Sequence, residues 1–433
     1  MAKIGNLDQL ATTELRRSAL LIAEAGLMAI DTEKIIKGSI RLGGGVLDVG
    51  GEKFRLADVG KIIFIGIGKV ASEAAAAAEK ILGRYLIGGV LVDVKSAPPL
   101  KKIKAFRGTH PMPSAKNVAA AKAIVKILDG LKEEDLVIFV VSGGGSTLLY
   151  LPPAGRKSSG ESRIMKILIK NGATIQEINA LRKHLSLARG GYLAQYAYPA
   201  NVVSLIFSDV AGGDLGFVAS GPTVKDVTTI EDAEKIVEKY GIAGALGVKG
   251  IPLIDTPKED KYFKKVKNIL AVSNGTALEA MEAKAKELGF KAQIMTSCLT
   301  GEAADVGLRT VENLHNVGAE SVFLYGGETT VTVNGKGRGG RNLELVLSAL
   351  REVREGELVL SLASDGRDNG EFAGAICDTI TKEAVLKSGF MFFDVEAELK
   401  NNNSYPVFEK AGNYLLTGDT GSNVSDLLIA IKQ

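Results

Sequence analysis

The segment Lys61-Ile-Ile-Phe-Ile-Gly-Ile-Gly-Lys-Val-Ala-Ser-Glu-Ala-Ala-Ala-Ala-Ala-Glu-Lys-Ile-Leu82 decides the architecture. Its first five residues form a short continuous apolar run, the pattern of a strand buried on both faces, and from Val70 to Leu82 it becomes an alanine-rich helix. The turn between them, Gly66-Ile67-Gly68-Lys69, leaves a lysine at the start of that helix. The same cadence continues outward: a strand over 89–94 carrying Asp93, a helix over 114–128, a strand over 135–141 and another over 202–207. Such alternation predicts an α/β fold with a parallel, doubly wound sheet covered by helices. Ahead of it, Leu15, Ala19, Leu20, Ala23 and Leu27 fall on one face of a packing helix, and a glycine-rich hairpin follows over 43–56. At 255–266 (DTPKEDKYFKKV) the chain turns charged and loses periodicity, which reads as a linker. Alternation then resumes, so the expected domains are 1–254 and 255–433.

A chain of 433 residues exceeds what one core usually holds, and 46% apolar with 24% charged residues suits a packed globular protein. The net charge of +3, from 53 cations and 50 anions, is too balanced for binding nucleic acid by phosphate neutralisation. Basic character must therefore be local. Cys298 and Cys377 stand far apart with no CxxC and no histidine cluster, which argues against a disulfide framework or a zinc site. With no apolar signal core at the N-terminus and no membrane-length apolar run, a cytoplasmic location is the expectation.

Three glycine loops carry the chemistry. Gly66-Ile-Gly68-Lys69-Val-Ala71 satisfies GxGxxA between a strand and a helix, with Asp93 at the distance where a dinucleotide site places its ribose-binding acid. The same loop can instead present Lys69 to a phosphoryl or carboxylate group; no Walker A pattern occurs. Ser142-Gly143-Gly144-Gly145-Ser146 follows the strand over 135–141 and gathers N–H donors and two hydroxyls in one place. A serine nucleophile there is disfavoured, since GxSxG is absent and only His110, His184 and His315 could serve as a base. His110 lies in a proline-flanked turn that can face the same crevice. The third loop lies in Val331–Ser348, VTVNGKGRGGRNLELVLS, where an alternating run suited to a strand leads through Gly335–Arg341 into a helix. Glycines that free the backbone N–H groups, a helix start, and the cations Lys336, Arg338 and Arg341 describe an anion site. Asn179, Arg182, Lys183 and His184 share a helix over 174–187, read here as a solvated face. Asp209 and Asp214, after the strand over 202–207, and Asp365, after that over 358–363, are carboxylates placed where a nucleotide's Mg²⁺ could be held.

Taken together, VSGGGSTLL, INALRKHLSLARGG, SDVAGGDLGFVASGPT, GGETTVTVNGKGRGGRNLE, SDGRDNGEFAGA and LLTGDTGSNVSDL resemble the glycerate 2-kinase family, whose C-terminal part is named for a MOFRL motif. The blocks run in order from about Gly66 to Leu428. The resemblance implies a larger Rossmann-like doubly wound N-terminal domain, a smaller α/β C-terminal domain, and an active site in the inter-domain cleft. It implies ATP and Mg²⁺ as cofactors and phosphorylation of D-glycerate at its 2-hydroxyl. Lys69 and Arg341 are then the catalytic cations, with Arg338 a less close match. Gly66, Gly68, Ser142, Gly143, Gly144, Gly145, Ser146, Arg338 and Asn342 would bind substrate or nucleotide, and Asp209 and Asp365 the metal. Two loops depart from the family pattern: Ser364–Gly370 stands for TDGxDG, and Thr417–Asn423 has Asp419 where the family has proline. The implied partners are small molecules, D-glycerate and ATP, with no nucleic acid and no membrane; a homodimer stays open. The alternative is an NAD(P)-dependent hydroxypyruvate reductase, resting on GxGxxA and Asp93, and a third is a non-catalytic binding protein.

Overall fold

The structure, a computed structural model, describes residues 2–153, 159–208 and 214–433. They form two compact units. One is built from Thr32–Ser208 and the chain that continues to Ala271. It opens with a small antiparallel sheet, β1 (Ile40–Gly43), β2 (Val46–Val49) and β3 (Glu52–Arg55). A six-stranded sheet follows: β4 (Ile62–Ile67), β5 (Leu86–Asp93), β6 (Ile103–Arg107), β7 (Leu136–Val141), β8 (Asn201–Phe207) and β9 (Val266–Val272), in the order β6-β5-β4-β7-β8-β9. The pairs β4–β5, β4–β7, β5–β6 and β7–β8 are parallel, as the alternation requires. Every residue of β4 and β7 is buried, which is why both read as unbroken apolar runs. The chain travels outward from β4 through β5 to β6, then returns to the other side of β4 as β7. The strand order therefore reverses between β4 and β7. Ligands of open α/β sheets bind at the carboxyl ends of the strands beside such a reversal.

The second unit comprises the residues up to Asp31 together with Val272–Gln433. Its sheet contains β10 (Lys291–Leu299), β11 (Ser321–Gly327), β12 (Glu357–Ala363), β13 (Gly374–Cys377), β14 (Tyr414–Leu415) and β15 (Asp426–Lys432), ordered β10-β11-β15-β12-β13-β14. Only β10–β11 is parallel; β15 runs antiparallel between β11 and β12. Helices Ala303–His315 and Arg341–Leu350 supply much of the apolar core over one face. Among the described residues no helix is long and apolar enough to cross a membrane.

These units differ from the expected division at 254/255. The N-terminal helix Glu14–Ala29 belongs with the mixed sheet because Arg16, almost fully buried, donates from Nε and Nη2 to Asp378 at 2.7 Å each, and Gly26 packs closely against Met281. Residues 255–266 are no inter-domain linker. They carry a short turn over Asp260–Tyr262 and deliver β9 to the parallel sheet. The run from Val331 to Asn334 is not a strand either: Thr332 N–H donates to Glu302 and Asn334 N–H to Asn402, so its backbone is held by side chains and not by a ladder.

Candidate active site

Two loops leave the sheet at the strand reversal, level with each other because Ile67 pairs with Val141. Gly66 admits the helix Ala71–Leu82 to the sheet; a Cβ there would lie 3.1 Å from that of Leu91 and 3.2 Å from that of Ala71. Gly68 has φ +115 and passes so close to Ser142 that any side chain would collide with it. The loops are stitched by Lys69 N–H to the Gly143 carbonyl at 3.0 Å and Ser142 N–H to the Ile67 carbonyl at 2.8 Å, while Ser142 Oγ accepts from Val70 N–H. Ser142 is thus buried and structural, not a nucleophile. Gly145 meets Ala219, and Ser146 Oγ lies 2.9 Å from Ser220 Oγ.

The N–H groups of Gly143, Gly144 and Ser146 donate to nothing among the described residues. Beside them stands Lys69, whose Cγ is 3.3 Å from where a Gly144 Cβ would be, with the His110 ring 3.6 Å from the same point. Gly144, at φ +78, is the residue that lets the three groups converge. His110 is held there by Asn117, which is fully buried, accepts from Thr109 N–H and donates to the Thr109 and Thr147 carbonyls. Although the imidazole reaches solvent, enclosure by protein pushes its pKa down to about 4, and the charges of Lys69 and Arg182 push the same way. It is neutral at physiological pH.

Asp93 does not serve a ribose. It is buried, and its carboxylate accepts from Ser72, Val94 and Lys95 N–H, capping the helix that Lys69 precedes. The dinucleotide reading loses its acid.

In the second unit the expected anion loop is organised differently. Asn334 and Gly335 N–H donate to Asn402 Oδ1 at 2.8 and 3.0 Å, Lys336 N–H to Asn401 Oδ1, Gly337 N–H to the Asn401 carbonyl, and Arg338 N–H to Asn403 Oδ1. That part of the loop is a clamped strap. Arg338 lies with its guanidinium 3.6 Å above the Tyr405 ring, which stacks in turn on Phe372 and through it on Tyr414, so its place is in a stack.

Beyond the strap, the helix Arg341–Leu350 begins in a dense polar cluster. Asp368 caps it, accepting from Asn342 and Leu343 N–H and from the Asn342 amide, and Ser361 Oγ donates to the other end of that amide. Burial raises the pKa of Asp368. Arg341 makes a two-pronged contact with Asp426, from Nε at 3.1 Å and Nη2 at 3.2 Å, and pairs through Nη1 with Glu328. Burial pushes Asp426 up to about 7 against the pull of Arg341. For Arg341 burial works against the charge, but Asp426 and then Glu328 outweigh it and the pKa rises. Arg341 is permanently charged, fixed in direction and still partly open to solvent.

Of the metal candidates, Asp209 lies outside the described residues. Asp365 stands after β12, partly exposed, with Oδ1 accepting from Arg367 N–H at 3.1 Å. Asp214 is exposed and accepts from Gly216 N–H. Among the described residues no three His, Cys, Asp or Glu side chains form a metal-holding group. A Mg²⁺ carried in by nucleotide phosphates needs only one or two protein carboxylates, a requirement that a single partly exposed residue such as Asp365 fits.

Two family models match the chain, the domain of unknown function DUF4147 over residues 18–250 and the MOFRL family over 321–426. The glycerate 2-kinase of Pyrococcus horikoshii is 38% identical over 96% of this chain and 97% of its own length, and the D-glycerate 2-kinase of Thermotoga maritima 34% identical over 96% and 98%. The chain belongs to the glycerate 2-kinase family. Its fold agrees: the crystal structure of a Thermotoga maritima glycerate kinase superposes with a TM-score of 0.84 at 34% identity, covering 96% of this chain and 99% of that one.

Seen as a family member, the chain also holds polar residues that periodicity alone did not single out. Asp426 gives no signal in sequence, since it opens the apolar strand DLLIAIK and becomes a partner of Arg341 only when β15 lies beside β11. Arg189 is fully buried against Glu161, and the helix face carrying Asn179, Lys183 and His184 is buried, not solvated. Lys183 donates to Asp226 at 2.9 Å, and His184 bonds the Ile254 carbonyl and Thr228.

Proposed function

We propose that this protein transfers the γ-phosphoryl group of ATP to the 2-hydroxyl of D-glycerate, giving 2-phosphoglycerate and ADP. The observation that carries the reading is the loop at the strand reversal, where three N–H groups that donate to no described residue gather beside Lys69, in a chain similar to glycerate 2-kinases over nearly its whole length. Phosphoryl transfer asks little covalent chemistry of a protein; it asks for positioning and for groups that offset charge developing on the transferred phosphoryl oxygens. N–H donors of Gly143, Gly144 and Ser146 cradle phosphate oxygens, and Lys69 adds a full charge beside them. Arg341 is the second cation assigned to the reaction, its direction set by Asp426 and Glu328. Asn342 holds the helix start behind it.

Mg²⁺, when bound with the nucleotide, would neutralise phosphate charge, and Asp365 with Asp209 are the carboxylates assigned to it. The protein needs no nucleic acid or membrane partner for this chemistry, and we place it in the cytoplasm.

The reading is tested by incubating the protein with D-glycerate, ATP and Mg²⁺, following ADP and identifying the phosphorylated position. Appearance of 2-phosphoglycerate supports it. Turnover of hydroxypyruvate with NAD(P)H, and none of glycerate with ATP, would replace it with the reductase.

A further inference from the structure

Arg189 ties three parts of the parallel-sheet unit together. Its fully buried guanidinium donates to the Leu149 carbonyl at 2.9 Å, just after the glycine loop, and to the Arg182 carbonyl at 3.2 Å. It also grips both oxygens of Glu161, at 2.9 and 3.2 Å. The Arg182 backbone is thereby tied through one guanidinium to Leu149, and Glu161, a carboxylate within 4 Å of the Arg182 side chain, is already engaged. What Arg182 itself contacts is little: Nε donates to the Met165 sulfur at 3.2 Å and stands 3.7 Å from Glu161 Oε1, beyond hydrogen-bond reach. Its two terminal amino groups donate to no described residue, although the side chain is only 20% exposed. Burial, and then the neighbouring charge of Arg189, lower its pKa. A largely buried guanidinium short of an acceptor is costly unless an anion completes it.

The surroundings narrow that anion. Lys69 and the neutral ring of His110 flank Gly144 on the same side, and Arg182 is near enough to His110 to act on its charge. The N–H cradle suits a phosphate, whereas a planar guanidinium with two parallel donors matches a carboxylate. We propose that Arg182 binds the carboxylate of the acceptor substrate and selects for it, with His110 accepting or donating a hydrogen bond at the substrate's hydroxyls. This deepens the proposed glycerate kinase activity and rests on it.

The experiment compares D-glycerate with its uncharged amide, glyceramide, in the wild type, Arg182→Gln and Arg182→Lys. In Arg182→Gln, KM for D-glycerate rises about a hundredfold, the loss typical of a truncated charge pair. KM for ATP stays within about twofold, and the preference for glycerate over glyceramide collapses. Arg182→Lys recovers part of that preference. In the wild type, D-glycerate protects Arg182 from phenylglyoxal, read by peptide mass spectrometry, so the test survives a variant that fails to fold. A rise confined to KM for ATP, an equal loss on both acceptors, or modification of Arg182 indifferent to glycerate would each overturn the proposal. Failure of the wild type to phosphorylate D-glycerate at all would instead refute the activity on which it rests.

Discussion

At the carboxyl end of β7, Gly143, Gly144 and Ser146 give their N–H groups to no described residue, whereas Asn334, Gly335, Lys336, Gly337 and Arg338 give theirs to three successive asparagines. Both loops are rich in glycine, both have a lysine close by, and both lead into a helix. Glycine sets how freely an N–H can turn; what it meets depends on acceptors elsewhere in the chain. For the first loop none of the described residues takes that place, so a ligand can. For the second, Asn401, Asn402 and Asn403, more than sixty residues away, take it, and the cation we propose for the reaction, Arg341, stands beyond the strap at the helix start.

The largest expected effect separates the two lysines. Lys69→Ala lowers kcat/KM by about two to three orders of magnitude, the usual cost of losing a positioned group that offsets transition-state charge, with little change in melting temperature. Lys336→Ala, exposed on the strap, stays within about twofold. Steady-state kinetics decides it, and equal losses would erase the distinction.

Glycine replacements sharpen it next. Gly144→Ala strains a backbone at φ +78 and brings a methyl group within 3.3 Å of Lys69, so activity falls about tenfold or more at about 1–3 kcal/mol of stability. Gly337→Ala drives a methyl group into the Asn401 carbonyl and Asn403. It costs about 1–3 kcal/mol by overpacking while kcat per folded molecule is kept. Denaturant melts beside kinetics separate the two.

Asn402→Ala removes the acceptor for two N–H groups and should destabilise by about 1–3 kcal/mol in chemical denaturation, with KM values unchanged. A large rise in KM for ATP would mean that the strap binds nucleotide after all.

The smallest effect is a titration. His110 has a folded pKa of about 4, below the 6.5 of a free imidazole, so as pH falls the unfolded chain takes up a proton first. Its contribution to stability is complete above pH 6.5 and is lost as pH falls towards 4. The imidazole resonances should shift with a midpoint near 4; a midpoint near 6.5 would remove the enclosure and the cations we place around it.

The parallel sheet was legible because buried parallel strands must be apolar throughout, and β4 and β7 are. The Lys69 turn and the Ser142–Ser146 loop followed from it, since their strands place them. The mixed sheet was less so. β15 reaches the middle of it from the end of the chain, a pairing no local pattern announces, and with it comes Asp426. The N-terminal helix looked like an ornament of the first domain because the residue that anchors it, Asp378, is 362 positions away from Arg16. Nothing local marks the asparagine run 401–403, and only long-range packing makes it a clamp.

Hydrogen exchange, followed by mass spectrometry with and without ATP and Mg²⁺, tests the central claim most directly. We expect rapid exchange at Gly143, Gly144 and Ser146 in the free protein, marked protection there on adding nucleotide, and slow, unchanged exchange over 334–338. Protection gained over 334–338 with none over 142–146 would contradict it.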